Sequence, residues 1–383
     1  MPESPIADWD PRSSDVLNDQ RSAYDQMREQ CPVAWSDYAH WSVFRHADVR
    51  RTLQDHHSFS SRASQHLSVP NGMDQPEHTA YRNIIEVYFN SERMAAFEPV
   101  CQEIAEDLAI TALGGTQTEL MAAFARPFAL RIQCAFMGWP LGLQDPLLSW
   151  ATRNNQATLL RDRPVLAALA AEFEELIAGL LTERREAGSS ADDLTRSLMN
   201  EQVNGRPLHD AEIASILRNW TVGEVGTIAA SVGILAQFLA SHPEVQQQIR
   251  ENPQLLWQAN DEILRIHGPL VDNRRRTTCP VQLGGRDIEA DQRITINWIA
   301  ANRDPEVFPQ PDRFSLERDT TQNLLYGAGI HVCPGAPLAR MELVIVIEKL
   351  LQHTDLLQLV ADQPATPASY PSSGYASLPL RLR

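Results

Sequence analysis

The sequence predicts a mostly helical α+β fold, and three observations carry that expectation. Apolar residues recur near the helical period of about 3.6 across residues 92–113, 119–137, 144–160 and 164–187. A further run from about Asp210 to Ser241 keeps that pattern for about 30 residues, roughly 45 Å of continuous helix. Strand signals are short and few, a rough alternation over Val33–Arg45 and a short hairpin closing the turn-rich tail Pro364–Arg383, so any sheets are small. No linker, repeat or low-complexity tract divides the 383 residues, and 1–383 reads as one large domain with a sizeable core.

A formal net charge of −16 and a pI near 5.1 argue against a nucleic-acid partner. Lys349 is the only lysine, so nearly all positive charge is guanidinium. Cysteines at 31, 101, 134, 279 and 333 form no Cys-x-x-Cys pair and no metal spacing, which fits a reducing compartment. The N-terminus carries no apolar signal core, and no stretch reads as a membrane span. The expectation is a soluble, cytoplasmic protein.

Along the chain, an amphipathic helix around Ser22–Gln30 is ended by Pro32, a small hairpin spans Val33–Arg45, and Ala47–Gln54 is helical. Ser58–Met73 is polar and helix-poor. Asp74 can cap the next helix, on which His78 and Arg82 share a face four residues apart. Gly114-Gly115 and Gly138-Trp-Pro140 punctuate the helices that follow, and Arg184–Ala191 and Val203–Pro207 are exposed loops.

The long helix takes Asp210 as its N-cap and stops at His242-Pro243. It holds Gly223, Gly226 and Gly233, each costing about 1 kcal/mol relative to alanine. Two of them, Gly223 and Gly226, cluster beside Thr227, where missing side chains let the backbone approach a flat cofactor or, alternatively, a packed neighbouring helix. Thr227 can return a hydrogen bond to the carbonyl of Gly223.

The stretch Leu324–Arg340 (LLYGAGIHVCPGAPLAR) sets a lone Cys333 between a glycine-containing loop and an apolar helix. Pro334 suits the first position of that helix, and the free N–H groups of the first turn favour a thiolate. A thiolate in apolar surroundings suits an axial ligand to haem iron; a buried structural cysteine is the alternative. Haem has two propionates, which in a buried site need paired donors such as His78 and Arg82.

Together these segments resemble the cytochrome P450 family over nearly the whole chain. Leu324–Arg340 is similar to the family's haem-ligand loop, with Tyr326 where phenylalanine is more common, and Pro76-Glu-His78-Thr-Ala-Tyr-Arg82 to its propionate segment. The resemblance implies haem b (iron protoporphyrin IX) held by Cys333 without covalent attachment, with His78, Arg82, Arg275 and His331 on the propionates; Arg274 and Arg276 are the alternatives to Arg275. It implies a long helix crossing the distal haem face with Thr227 aiding proton delivery. It places Glu262, Arg265 and Arg313 in a structural ionic cluster. It makes Ser58–Met73 a loop over the substrate pocket, a plain surface loop being the alternative, and puts two helices of 144–187 over the entrance. Pocket candidates are Leu67, Val69, Val222, Gly223, Val271 and Ser373.

One departure stands out. The family's acid immediately before the threonine is here Gly226, and the nearest carboxylate is Glu224, three residues back and within roughly 60° of Thr227 around the helix. Glu224 is therefore either the substitute proton donor or a structural salt-bridge partner.

The implied activity is monooxygenation of a small, largely apolar substrate by O2. Two electrons would come from a ferredoxin or flavodoxin-type donor with an NAD(P)H reductase, because the chain carries neither an iron–sulfur cysteine set nor a Gly-x-Gly-x-x-Gly flavin motif. A peroxide-driven peroxygenase and a non-catalytic haem sensor are the rivals. A sensor has no use for Thr227 with its neighbouring glycines.

Overall fold

The computed structural model describes residues 7–64, 66–186 and 193–382. Helices dominate, and their bounds follow the apolar period closely. They run over Gln20–Gln30, His46–Gln54, Glu77–Glu86, Ser91–Ala112, Arg126–Met137, Gln144–Leu160, Arg163–Glu186, Asp210–Ser241, Leu256–His267 and Ala336–Gln352, with shorter ones between. The segment expected as one helix over 119–137 is broken. A short strand ends at Glu119, a π-helical turn covers Met121–Ala125, and the regular helix starts at Arg126. Within the expected loop Arg184–Ala191, the helix continues to Glu186, and 187–191 lie outside the described residues.

Strands are short. The largest sheet has five, in the order Val33–Ser36, His40–Val43, Arg293–Asn297, Asp272–Thr277 and Phe59–Ser60. The hairpin at 33–43 is antiparallel with Trp35 opposite Trp41, and Arg275 sits opposite Ile294. In the tail, Thr366–Pro367 pairs with Tyr375–Ser377 around the Ser372-Ser373-Gly374 tip.

Asp210–Ser241 is the axis of the core. Its C-terminal half (Ile228 to Leu239) packs with the helices Ser91–Ala112, Arg126–Met137 and Ala336–Gln352. Its N-terminal half (Ile213 to Val225) packs with the pair Gln144–Leu160 and Arg163–Glu186. It alone among the described helices is long and apolar enough to cross a membrane, but that apolar stretch is 67% buried inside the protein, as a core helix is. Its cap is His209 rather than Asp210, with Glu212 accepting from the His209 backbone N–H at 2.7 Å. Glu212 also receives Arg206 at 2.7 Å and the Tyr81 hydroxyl at 2.5 Å, so one carboxylate ties the helix start to two other elements.

The ionic cluster differs in one member. Arg265, fully buried, forks onto Glu262 at 2.8 and 3.1 Å and reaches the Asn302 and Pro311 carbonyls. The third partner is Arg318, whose Nε meets Glu262 at 2.7 Å. Arg313 is exposed and supplies only its backbone carbonyl, which accepts from Arg318 at 2.8 Å. The chain turns between the two arginines so that the later one points inward.

Candidate active site

Cys333 is delivered by a tightly wound loop. Gly327 and Gly329 have φ of 77° and 71°, a region open mainly to glycine. At Gly329 a Cβ would also lie 2.4 Å from the Leu53 carbonyl oxygen, so this loop can seat on the His46–Gln54 helix only without a side chain there. The Cys333 N–H then donates to the Tyr326 carbonyl at 2.8 Å, which fixes the direction of the side chain. The helix begins at Ala336 with Pro337 in its first turn; Pro334 lies in the preceding turn rather than at the helix start.

The Cys333 side chain is accessible, yet the surrounding protein desolvates it and raises the thiol pKa. It therefore opens onto a space inside the protein. The backbone N–H groups of Gly335 and Ala336 lower that pKa, as a helix start should, but burial outweighs them.

Across from it runs the long helix. The Thr227 hydroxyl donates to the Gly223 carbonyl and lies 3.4 Å from the Glu224 carbonyl. A Cβ built on Gly223 or Gly226 would meet no atom within 4 Å, whereas one on Gly233 would lie 2.5 Å from Met121 Sδ. The three helix glycines thus divide. Gly233 serves helix packing, while Gly223 and Gly226 border open space. Glu224 forms no salt bridge among the described residues, and its Oε1 is buried without a partner. The acid is not a structural ion pair.

A cluster of donors gathers beside the loop. His78 is buried with neither ring nitrogen partnered, and its ring meets that of His331. Burial, helped by the charge of Arg82, lowers its pKa. His331 Nε2 faces Ser61 Oγ at 2.8 Å and the Met73 carbonyl at 3.0 Å. Burial, then Arg275 and His78, push its pKa down to about 3. Arg275 is 7% exposed, and its guanidinium donates only to the Arg274 carbonyl, at 2.8 Å. Desolvation lowers its pKa to about 10. Strand alternation turns Arg274 and Arg276 outward, and Arg276 pairs with Asp291 at the surface. Arg82 is buried and paired with Glu86 at 2.7 Å. Asp74 does not cap its helix; its carboxylate accepts from Ser60 Oγ and the Ser61 N–H instead.

The pocket candidates also divide. Leu67 (44% exposed), Val222 (50%) and Gly223 present accessible surface. Val69, Val271 and Ser373 do not. Val69 is sealed in the core beside Met73 and Tyr81, and Val271 packs against Tyr24, Ile299 and Tyr370. Ser373 donates its hydroxyl to the Gly268 carbonyl at 2.5 Å. Alternation along the chain turns Val271 into the core and leaves its neighbour Leu270 accessible, bridged to Ser372.

The residues fit a haem. An accessible cysteine faces a helix bared by two glycines. At the edge stand His78, buried with neither ring nitrogen partnered, and the desolvated Arg275 and His331, where propionates would add the partners they lack. Two groups escaped the sequence reading: Arg318, and Glu342 on the helix after Cys333. The signal for Glu342 was a lone acid one helical turn from Leu338 and Val346 in an otherwise apolar face.

Comparison with known proteins agrees with this arrangement. The family described as Cytochrome P450 matches residues 39–379. Erythromycin C-12 hydroxylase of Saccharopolyspora erythraea is 30% identical over 353 residues, covering 88% of this chain and 87% of the relative. Cyclomarin C epoxidase CymV of Salinispora arenicola is 27% identical over 348 residues, covering 87% and 88%. A solved structure of a mutant of P450 EryK in complex with erythromycin B superposes with a TM-score of 0.86 at 28% identity, covering 96% of this chain and 97% of that one.

Proposed function

This chain belongs to the cytochrome P450 family and is a haem-thiolate monooxygenase that binds haem b, and from that premise we propose that Glu224 replaces the acid missing at Gly226 as the proton donor serving Thr227. The observation that carries this reading is that Glu224 sits one turn before Thr227, bordering the same space, with no cationic partner among the described residues.

Bound haem supplies oxygen activation and the insertion of one oxygen atom into the substrate. In our reading Cys333 holds the iron, while His78, Arg82, Arg275 and His331 share the propionates. The Thr227 hydrogen is committed to the Gly223 carbonyl, so its oxygen is left to accept and to position a donor. Glu224 supplies the proton, and Gly223 and Gly226 leave the room for it to travel. Leu67, Val222 and Leu270 offer an apolar lining, which supports a small, largely apolar substrate.

The enzyme needs electrons from a redox partner. We assign a ferredoxin or flavodoxin-type donor with an NAD(P)H reductase, O2 as oxidant, and a cytoplasmic location. Residues 1–383 act as one domain in this reading.

A substrate is first found by screening small apolar and aromatic compounds for a low-spin to high-spin Soret change. Product formed per NAD(P)H consumed is then measured at saturation. Glu224→Gln and Thr227→Ala should both divert electrons to peroxide, and adding Gly226→Asp to Glu224→Gln should restore coupling. Peroxide alone should support less turnover than NAD(P)H with redox partners. A Glu224→Gln enzyme equal to wild type in rate and coupling overturns the assignment.

A further inference from the structure

Glu224 does not face the protein interior alone. Glu342, on the helix Ala336–Gln352 that packs against the long helix, is fully buried, and its carboxyl group lies within hydrogen-bonding reach of that of Glu224. Glu224 Oε1 and both oxygens of Glu342 are buried and find no donor. Two ionised carboxylates only accept, so facing each other they leave all three oxygens unsatisfied and their charges opposed. A proton on one of them makes it a donor to the other and removes both costs.

The surroundings supply no other remedy. The titratable groups that feel this pair are Cys101 on the helix Ser91–Ala112, with Tyr326 and Cys333 on the ligand loop. Among the described residues, no arginine, lysine or histidine acts on either acid. Desolvation holds both carboxyls toward their neutral form; the charge of Glu224 pushes Glu342 further the same way, while the hydrogen bond with Glu342 draws Glu224 back, as expected of two acids that share one proton.

We propose that Glu224 and Glu342 form a buried acid–carboxylate pair that shares one proton, with Glu342 the positioning residue that keeps that proton available to Glu224. Glu224 has an accessible edge beside Gly223 and Thr227 and Glu342 has none, so the proton leaves through Glu224. This deepens the relay reading and rests on it for its function, although the pair itself does not.

The test is an infrared titration of the haem-loaded protein in H2O and D2O, taken as the difference from a Glu224→Gln/Glu342→Gln double variant to remove the propionate signals. The wild type should keep a deuterium-sensitive protonated-carboxyl band at neutral pH. Glu342→Gln takes away the negative partner that holds the last proton, so its band should vanish at a pH lower by about one unit or more. Glu342→Asp, which keeps the acid but shortens its reach, should shift in the same direction by less, and serves if the Gln variant loses haem. No carboxyl band in the wild type at neutral pH, or identical titrations in wild type and Glu342→Gln, overturns the pair. A normal shift with unchanged coupling in Glu224→Gln leaves the pair standing and overturns the relay; loss of coupling without a band overturns the pair alone.

Discussion

The rings of His78 and His331 meet edge to face, with centroids 4.3 Å apart and planes at 67°. They come from a helix and a loop far apart in sequence, and Arg275 joins them from a third element. Three desolvated donors with few partners in one place is the pattern left for an anionic ligand. Arg275→Ala should leave a propionate partly unsatisfied, at a cost of about 1–3 kcal/mol. Timed haem transfer to an acceptor protein should show faster loss for Arg275→Ala than for the outward-facing Arg274→Ala. Equal rates would remove Arg275 from the site.

Cys333→His should abolish the red-shifted Soret band of the reduced, carbon monoxide-bound protein even where haem is retained. A wild-type spectrum like that of a histidine-ligated globin contradicts the ligand assignment.

The ionic cluster separates two nearby arginines. Arg318 lies against the buried Glu262, whereas Arg313 is exposed. Removing Arg318 strips one of two cations from a buried carboxylate, so Arg318→Ala should cost about 3 kcal/mol in denaturant unfolding. Arg313→Ala should stay within about 0.5 kcal/mol of wild type.

Glu212 gives a pH dependence with a definite sign. Its pKa is lowered to about 2, chiefly by the hydrogen bond from Arg206, then by Tyr81 and the His209 N–H against the opposing effect of burial. A carboxyl whose folded pKa lies below its unfolded value stabilises above the unfolded pKa and loses that contribution as pH falls toward the folded one. Glu212→Gln should therefore cost about 1–2 kcal/mol at neutral pH. The gap from wild type should close between the ordinary glutamate value and about pH 2. A gap independent of pH would mean that packing, not charge, holds the helix start.

Gly329 and Gly226 should respond oppositely to alanine. At Gly329 the positive φ and the Leu53 carbonyl both resist a side chain, so Gly329→Ala should cost more than the roughly 1–2 kcal/mol of the backbone conformation alone. At Gly226 a methyl group meets nothing in the protein, and the better helix former should stabilise the haem-free chain by about 1 kcal/mol. Thermal unfolding of the two haem-free variants checks both signs.

Local chemistry made much of this legible in the chain itself. The helix period fixed Gln144–Leu160 and Asp210–Ser241 to the residue or nearly so, because each depends on its own apolar spacing, and the second also on the His242-Pro243 stop. The glycines, the cysteine and the apolar helix of Leu324–Arg340 likewise sit within one short segment, so their joint purpose could be read there. The choice among Arg274, Arg275 and Arg276 was left open by sequence, and only strand pairing in the sheet turned Arg275 inward. Tertiary structure also decided Arg318 over Arg313, Leu270 over Val271, and the role of Gly233 against those of Gly223 and Gly226. Above all it set Glu342 against Glu224. Each of these depends on which element packs against which, and on what desolvation does to a charge once it is there; neither is written in the spacing of residues along one helix.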